Sequence, residues 1–127
     1  MSEKNTDIRI GVTTLFFTEQ GEAAVATFTP ERMELSDLSI RQQIRRLFAP
    51  VEGNKGPEAV KSAAELVFAA WFNKMNEIEL ADREKYEIVS EVIECKEYSP
   101  GKVKSCTIAF IFRERKEQEV KTPFSAN

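Results

Sequence analysis

Residues 66–72, Leu-Val-Phe-Ala-Ala-Trp-Phe, form an unbroken run of seven apolar side chains inside a segment with helical spacing. A helix on a protein surface buries a stripe of roughly 100°, whereas seven residues at about 3.6 per turn cover the whole circumference. A helix that carries this run must be enclosed by its own fold, by a second subunit, or by both. This requirement constrains the architecture more than any other feature of the chain.

Length and composition are those of a globular domain. The 127 residues are 42% hydrophobic and 31% charged, which is too apolar for a disordered chain and enough to bury a core without disulfides. The length predicts a single domain over residues 1–127. Residues 1–6 and 116–127 are largely polar, and we expect both to be flexible tails.

The chain lacks the residues that several kinds of catalytic and metal sites require. The chain contains no histidine, the commonest general base and zinc ligand, and two cysteines alone do not complete a structural zinc site. The sequence contains no Walker-type phosphate loop, serine-nucleophile motif or calcium loop. We therefore expect no metal and no cofactor, and the sequence favours a protein that is not an enzyme.

Charge and hydropathy also bear on location. The net charge of −3 argues against a polybasic membrane anchor and a general nucleic-acid coat. The first residues are polar and carry no apolar signal region, and the longest apolar run is far shorter than the ~20 residues of a membrane span. We predict a cytoplasmic protein with reduced thiols and no membrane association.

The N-terminal part of the chain predicts a hairpin followed by a helix. Residues 8–16 alternate in the manner of a strand, and residues 23–29 form a second, weaker strand after a turn at Gln20-Gly21. Thr29-Pro30-Glu31 has the chemistry of a helix start. Helical spacing over residues 37–48, ended by Pro50, predicts the first full helix.

The second helix should run over residues 57–76 and contain the apolar run. On a helical wheel, Ala69 and Phe72 fall within the polar arc, with Phe68 on its edge, whereas Val67 and Trp71 lie opposite. Two interpretations remain: loops of the same chain cover these side chains, or a second subunit does. The second interpretation predicts a homo-oligomer with Phe68, Ala69 and Phe72 in its interface, since interface cores are enriched in aromatic residues.

The C-terminal part predicts a second hairpin. Residues 87–98 and 102–115 flank Ser99-Pro100-Gly101-Lys102, which suits a type II turn. The turn pairs Cys95 with Cys106, Ile93 with Ile108 and Val89 with Phe112, and it leaves Glu91 unexplained opposite Phe110. Residues 79–95 also fit a helical period, so continued helix is the alternative to a strand there.

These elements predict an α+β fold in the order β-β-α-α-β-β, with one antiparallel sheet from two hairpins packed on the central apolar helix. Edges left by two hairpins need cover, which favours dimerisation by sheet extension or through the helix. The predicted core comprises Phe16, Phe28, Leu47, Phe48, Val67, Trp71, Ile93, Ile108, Phe110 and Phe112.

Two clusters carry polar or reactive chemistry. Cys95 and Cys106 are interpreted as small buried hydrophobes, because a redox pair is usually closer in sequence and beside positive charge. Arg41, Arg45 and Arg46 lie on the first helix, and residues 38–51 contain no acidic side chain. These arginines could bind phosphates, or pair with residues 74–97, which hold eight acidic and four basic side chains.

By elimination, the sequence predicts a small non-enzymatic interaction module of the adaptor or inhibitor type, which binds an unknown protein partner and itself. The alternative is a nucleic-acid or nucleotide binder that uses Arg41, Arg45 and Arg46. A third hypothesis is an enzyme whose site is assembled across subunits from carboxylates and arginines.

Overall fold

The computed structural model describes residues 7–75 and 86–115. One antiparallel sheet contains four strands in the spatial order β2-β1-β4-β3. Along the sequence, one 3-10 turn (33–35) and two helices come between the two hairpins. The elements are β1 (Ile8–Phe17), β2 (Ala23–Pro30), α1 (Leu38–Leu47), α2 (Pro57–Lys74), β3 (Tyr86–Ser99) and β4 (Lys102–Glu114). The predicted α+β class and the order of the elements are confirmed.

Local signals determine where the helices begin. The side chain of Asp37 accepts a hydrogen bond from the Ser39 N–H at 3.2 Å and so caps α1, and Pro57 occupies the first turn of α2. The predicted helix start at Thr29-Pro30-Glu31 is wrong. β2 continues to Pro30 because the Glu31 N–H donates to the Ile10 carbonyl at 2.8 Å, which extends the pairing with β1.

The orientation of α2 differs from the one that the helical wheel predicts. Its buried residues are Val60, Ala64, Phe68 and Phe72, spaced at intervals of four, whereas Val67 and Trp71 are only partly buried. The cause is the sheet beneath, because Phe68 stacks on Phe110 and Phe72 packs on Phe112. Phe68 and Phe72 therefore belong to the core of a single chain, where the sheet covers them rather than the loops that the first interpretation expected.

A β-bulge changes the predicted register of the second hairpin. Cys95 lies opposite Cys106, as predicted, but the register shifts between Val92 and Glu94. Ile108 therefore faces Val92 rather than Ile93, and Val89 faces Ile111 rather than Phe112. The shift moves Glu91 out of the core to a position opposite Ala109, where its carboxylate lies 3.9 Å from the Arg113 guanidinium.

The predicted core is right for the residues that α2 and the middle of the sheet enclose, and wrong at the margins. Phe28, Phe48, Ile108, Phe110 and Phe112 are buried, and Leu47, Val67 and Trp71 are partly buried. Phe16 and Ile93 are 42% and 53% exposed. Phe16 lies beside Val25 on the outer face of the sheet, the face away from the helices, and Ile93 is the extra residue of the bulge.

Some predictions fall outside the described residues. These are the two tails, 1–6 and 116–127, and most of the charged connector between α2 and β3. The predicted strand after this connector is confirmed from Tyr86 onward. Within the described ranges, neither helix has the length and hydropathy needed to cross a bilayer.

Candidate functional site

Within residues 7–75 and 86–115, the two outer strands of the sheet, β2 and β3, each have one edge without a neighbouring strand. Two hydrogen bonds show which backbone N–H and C=O groups of β2 face β1 and which face the free edge. The Glu31 N–H points to β1 and bonds to Ile10, whereas the Ala26 carbonyl points away from β1 and accepts from Arg45 Nε at 3.2 Å. Because the pairing is regular from Val25 to Pro30, the backbone groups of Ala26 and Phe28 face the free edge.

A groove of about 420 Å³ lies between this free edge and α1. Its lining consists of Ala24, Val25, Ala26, Gln42, Arg45 and Arg46. The alanine side chains leave space beside the strand, and the helix supplies the polar wall. Gln42, Arg45 and Arg46 are spaced i, i+3 and i+4, so they share one face of α1. We call this site the β2–α1 groove.

The three arginines singled out in the sequence separate in the structure. Arg45 and Arg46 line the β2–α1 groove, whereas Arg41 turns back toward the start of the helix and donates from Nε to the Ser36 carbonyl at 3.2 Å. The groove therefore holds two of the three predicted guanidinium groups.

The predicted internal ion pairs of α1 are not found within residues 7–75 and 86–115. The ion pairs there join other side chains: Arg9 to Glu31, Arg32 to Glu34, Lys61 to Glu65, Lys96 to Glu94, and Arg113 to Asp7 and Glu91. Arg45 donates one hydrogen bond to a backbone carbonyl, and Arg46 is exposed. The groove thus presents positive charge that no carboxylate of the described residues neutralises.

The opposite edge of the sheet, formed by β3, is less regular than the edge formed by β2. β3 pairs with β4 through three register irregularities, between Val92 and Glu94, Lys96 and Glu97, and Glu97 and Ser99. Bulges and charged side chains are common means of blunting a strand edge against further pairing. β2 has a single irregularity, at its start beside Phe16 and Phe17, so its free edge is the more regular of the two.

Two of the three residues predicted for an interface on α2 are buried within a single chain. Phe68 and Phe72 are 0% and 1% exposed within one chain, so neither side chain reaches the surface. Ala69 is partly buried and lines a shallow surface groove with Leu66, Lys61, Ser62 and Glu65. Leu66 is 71% exposed, and it is the large apolar side chain that the 66–72 run leaves in water.

The two thiols and the Glu65 carboxylate have structural roles. Burial raises the pKa of the Cys106 thiol to about 12, and burial also raises the pKa of Cys95, so both remain protonated and unreactive near neutral pH. The Ser90 hydroxyl donates to Glu65 at 2.6 Å and ties β3 to α2. Among the described residues, no three cysteine or carboxylate side chains are placed to hold a metal ion.

The sequence predicted the arginines of this site but not its other components. Gln42 and the segment Ala24–Ala26 carry no motif. Their proximity depends on the order of the strands, which leaves β2 at an edge, and on the position of α1 beside it. The run of small residues Ala23-Ala24-Val25-Ala26 is the one local signal that points to space beside this strand.

Comparisons with protein-family models, with curated proteins and with solved structures find no match to this chain.

Proposed function

We propose that the protein is a non-enzymatic interaction module that binds an acidic segment of a partner protein in the β2–α1 groove. One observation carries this proposal: Arg45 and Arg46 stand beside a free strand edge without a carboxylate partner among the described residues. A guanidinium group in such a position gains a charge-assisted hydrogen bond when a carboxylate arrives.

The electrostatics of the whole chain support the same proposal. The net charge is −3, so the chain as a whole disfavours an acidic partner, whereas the two guanidinium groups of the groove attract it locally. Local attraction of this kind orients a partner and raises its association rate more than it raises affinity. The groove therefore supplies selectivity, and apolar contacts with Val25 and the alanines supply further binding energy.

Nucleic acid is the second candidate, because Arg45 and Arg46 are also suited to phosphate oxygens. Two features favour a protein ligand. The residues that line the groove include no aromatic side chain on which a base would stack, and two arginines release few counterions from a phosphate backbone.

The proposal also includes association of the chain with itself. Phe68 and Phe72 are internal, so we place the contact between protomers on the exposed side of α2, where Leu66 and Ala69 are apolar. A cytoplasmic location remains part of the proposal as well, consistent with two unbridged cysteines that face each other across β3 and β4.

A capture experiment with matched variants tests the proposed function. The chain is immobilised as wild type, as Arg45→Glu/Arg46→Glu, and as Lys102→Glu/Lys104→Glu, a control that changes net charge equally on β4, which β1 separates from β2. Native lysate is applied with and without nuclease, and bound proteins are identified by mass spectrometry.

We expect an acidic protein that binds wild type and the lysine control, resists nuclease and is lost with the arginine variant. Capture that disappears after nuclease treatment would favour the nucleic-acid alternative. Equal capture by all three forms would contradict a role for the groove.

A further inference from the structure

We propose that the free edge of β2 accepts an extended segment of the partner as a fifth strand, in which acidic and apolar side chains alternate. The inference rests on the proposed function and specifies how the acidic segment binds. Strand addition of this kind obtains affinity from main-chain hydrogen bonds and specificity from alternate side chains.

The backbone of β2 offers the hydrogen bonds that a new strand needs. Ala26 and Phe28 direct their N–H and C=O groups away from β1, and a carbonyl has two lone pairs, so the bond from Arg45 to Ala26 leaves a second acceptor position. Pro30 has no N–H to donate, so it ends the run of donors. The edge is therefore short, and a partner segment of about five to six residues covers it.

The two faces of the added strand meet different surroundings, because side chains alternate across a sheet. On the helix side, alternate residues of the partner face Arg45 and Arg46, and carboxylates suit this position. On the outer face, the other residues lie beside Val25, which is 53% exposed and pairs with Phe16, which is 42% exposed. Apolar residues suit that position, so the recognised pattern is acidic at one residue and apolar at the next.

Charge argues against a second copy of this chain as the occupant. If two β2 strands paired across a two-fold axis, Arg45 and Arg46 of one protomer would approach the same residues of the other. Juxtaposed like charges disfavour such pairing. A foreign acidic segment removes the repulsion and uses the same backbone groups.

The test uses a synthetic peptide of about eight residues in which glutamate and valine alternate, with calorimetry as the measurement. Three control peptides are used: one with the same composition but separate glutamate and valine blocks, one with lysine in place of glutamate, and one N-methylated at alternate residues to remove strand donors. The protein is the full chain as wild type, Arg45→Glu/Arg46→Glu and Ala26→Pro.

Ala26→Pro removes an N–H that faces away from β1, so the ladder between β1 and β2 is retained. Circular dichroism checks the fold of this variant, and the N-methylated peptide gives the same information without changing the protein. We expect binding of the alternating peptide to weaken by about tenfold or more with either protein variant and with each control peptide.

The outcomes separate the two proposals. Binding that depends on Arg45 and Arg46 but not on Ala26→Pro or N-methylation would overturn strand addition and leave the proposed function standing. Equal binding of the block and alternating peptides would overturn the alternating pattern. No binding of the alternating peptide at millimolar concentration would overturn the inference, while the capture experiment separately decides the proposed function. Protection of the Ala26 and Phe28 amides that rises with protein concentration, without peptide, would identify a second copy as the occupant.

Discussion

Phe68 of α2 stacks on Phe110 of β4 with ring centroids 4.2 Å apart and an angle of 5° between the ring planes. Phe68 also contacts Phe28, Trp71 and Phe72. This contact fixes the rotation of the helix on the sheet. Phe68 and Phe72 of the apolar run are buried without a second subunit, three further residues of the run are partly buried, and Leu66 and Ala70 remain exposed.

Replacing Phe68 should test this contact directly. Because the side chain is fully buried, we expect Phe68→Ala to lower the free energy of unfolding by about 3–5 kcal/mol, measured by denaturant titration. Phe68→Glu should prevent folding rather than change an oligomeric state. Leu66→Ala, on the exposed side of the same helix, is the control and should cost well under about 1 kcal/mol. Equal losses at both positions would contradict the orientation of α2.

Gly11 lies where β1 approaches the Phe28 ring. A Cβ at this position would lie 2.8 Å from Phe28 Cε1 and 2.9 Å from the Thr29 carbonyl oxygen, both closer than van der Waals contact. We expect Gly11→Ala to destabilise the protein by about 1–3 kcal/mol. Phe28→Leu in the same chain makes room, so the double variant should lose less than the sum of the single losses, and strict additivity would contradict the clash.

The Cys106 thiol should make stability fall in alkaline solution. Its pKa is about 12 in the folded protein because it is buried, whereas an unfolded cysteine titrates near about 8.5. Below about pH 8.5 both states hold the proton. Above it only the unfolded state loses the proton, so the free energy of unfolding falls as pH rises toward 12, by at most about 1.4 kcal/mol per pH unit.

Comparison with Cys106→Ala isolates this effect from the titration of lysines and tyrosines. Denaturant unfolding of both proteins between about pH 7 and pH 10.5 should show a steeper decline for the wild type. Parallel profiles would show that the thiol ionises as easily in the folded chain as in the unfolded one.

Self-association should depend on the exposed side of α2. If the homo-oligomer forms through Leu66 and Ala69, light scattering should show more than a monomer for the wild type and a shift toward monomer for Leu66→Glu, because a charge in an apolar interface is costly. Leu38→Glu places the same change on α1, where Leu38 is 58% exposed, and should leave the mass unchanged. A monomeric wild type would contradict the homo-oligomer.

The elements and their packing as one sheet against α2 were predictable from local patterns, whereas the strand order, the bulged register of β3 and the rotation of α2 were not. The alternation of residues 8–16 and the Pro100-Gly101 turn are short-range signals, and Gly101 has the positive φ that the turn requires. The bulge at Ile93 has no such signal. An unbroken apolar run also gives a helical wheel little asymmetry. The side of α2 that faces the sheet is therefore set by ring contacts with β4, those of Phe68 with Phe110 and of Phe72 with Phe112.

The candidate site was likewise predictable in part. An α1 without acidic residues pointed to Arg45 and Arg46 as available charges. That they stand beside the backbone of Ala26 depends on β1 pairing with β4, which places β2 at the edge. Pairing between strands so distant in sequence is not encoded in any local motif.

Nuclear magnetic resonance mapping of the bound peptide tests the central claim most directly. On titration of the ¹⁵N-labelled chain with the alternating glutamate–valine peptide, we predict that the largest amide shifts fall on residues 24–28 and 42–46, on both sides of the β2–α1 groove. Shifts confined to α2 or to β3, or no shifts at saturating peptide, would contradict the claim that this groove is the binding site.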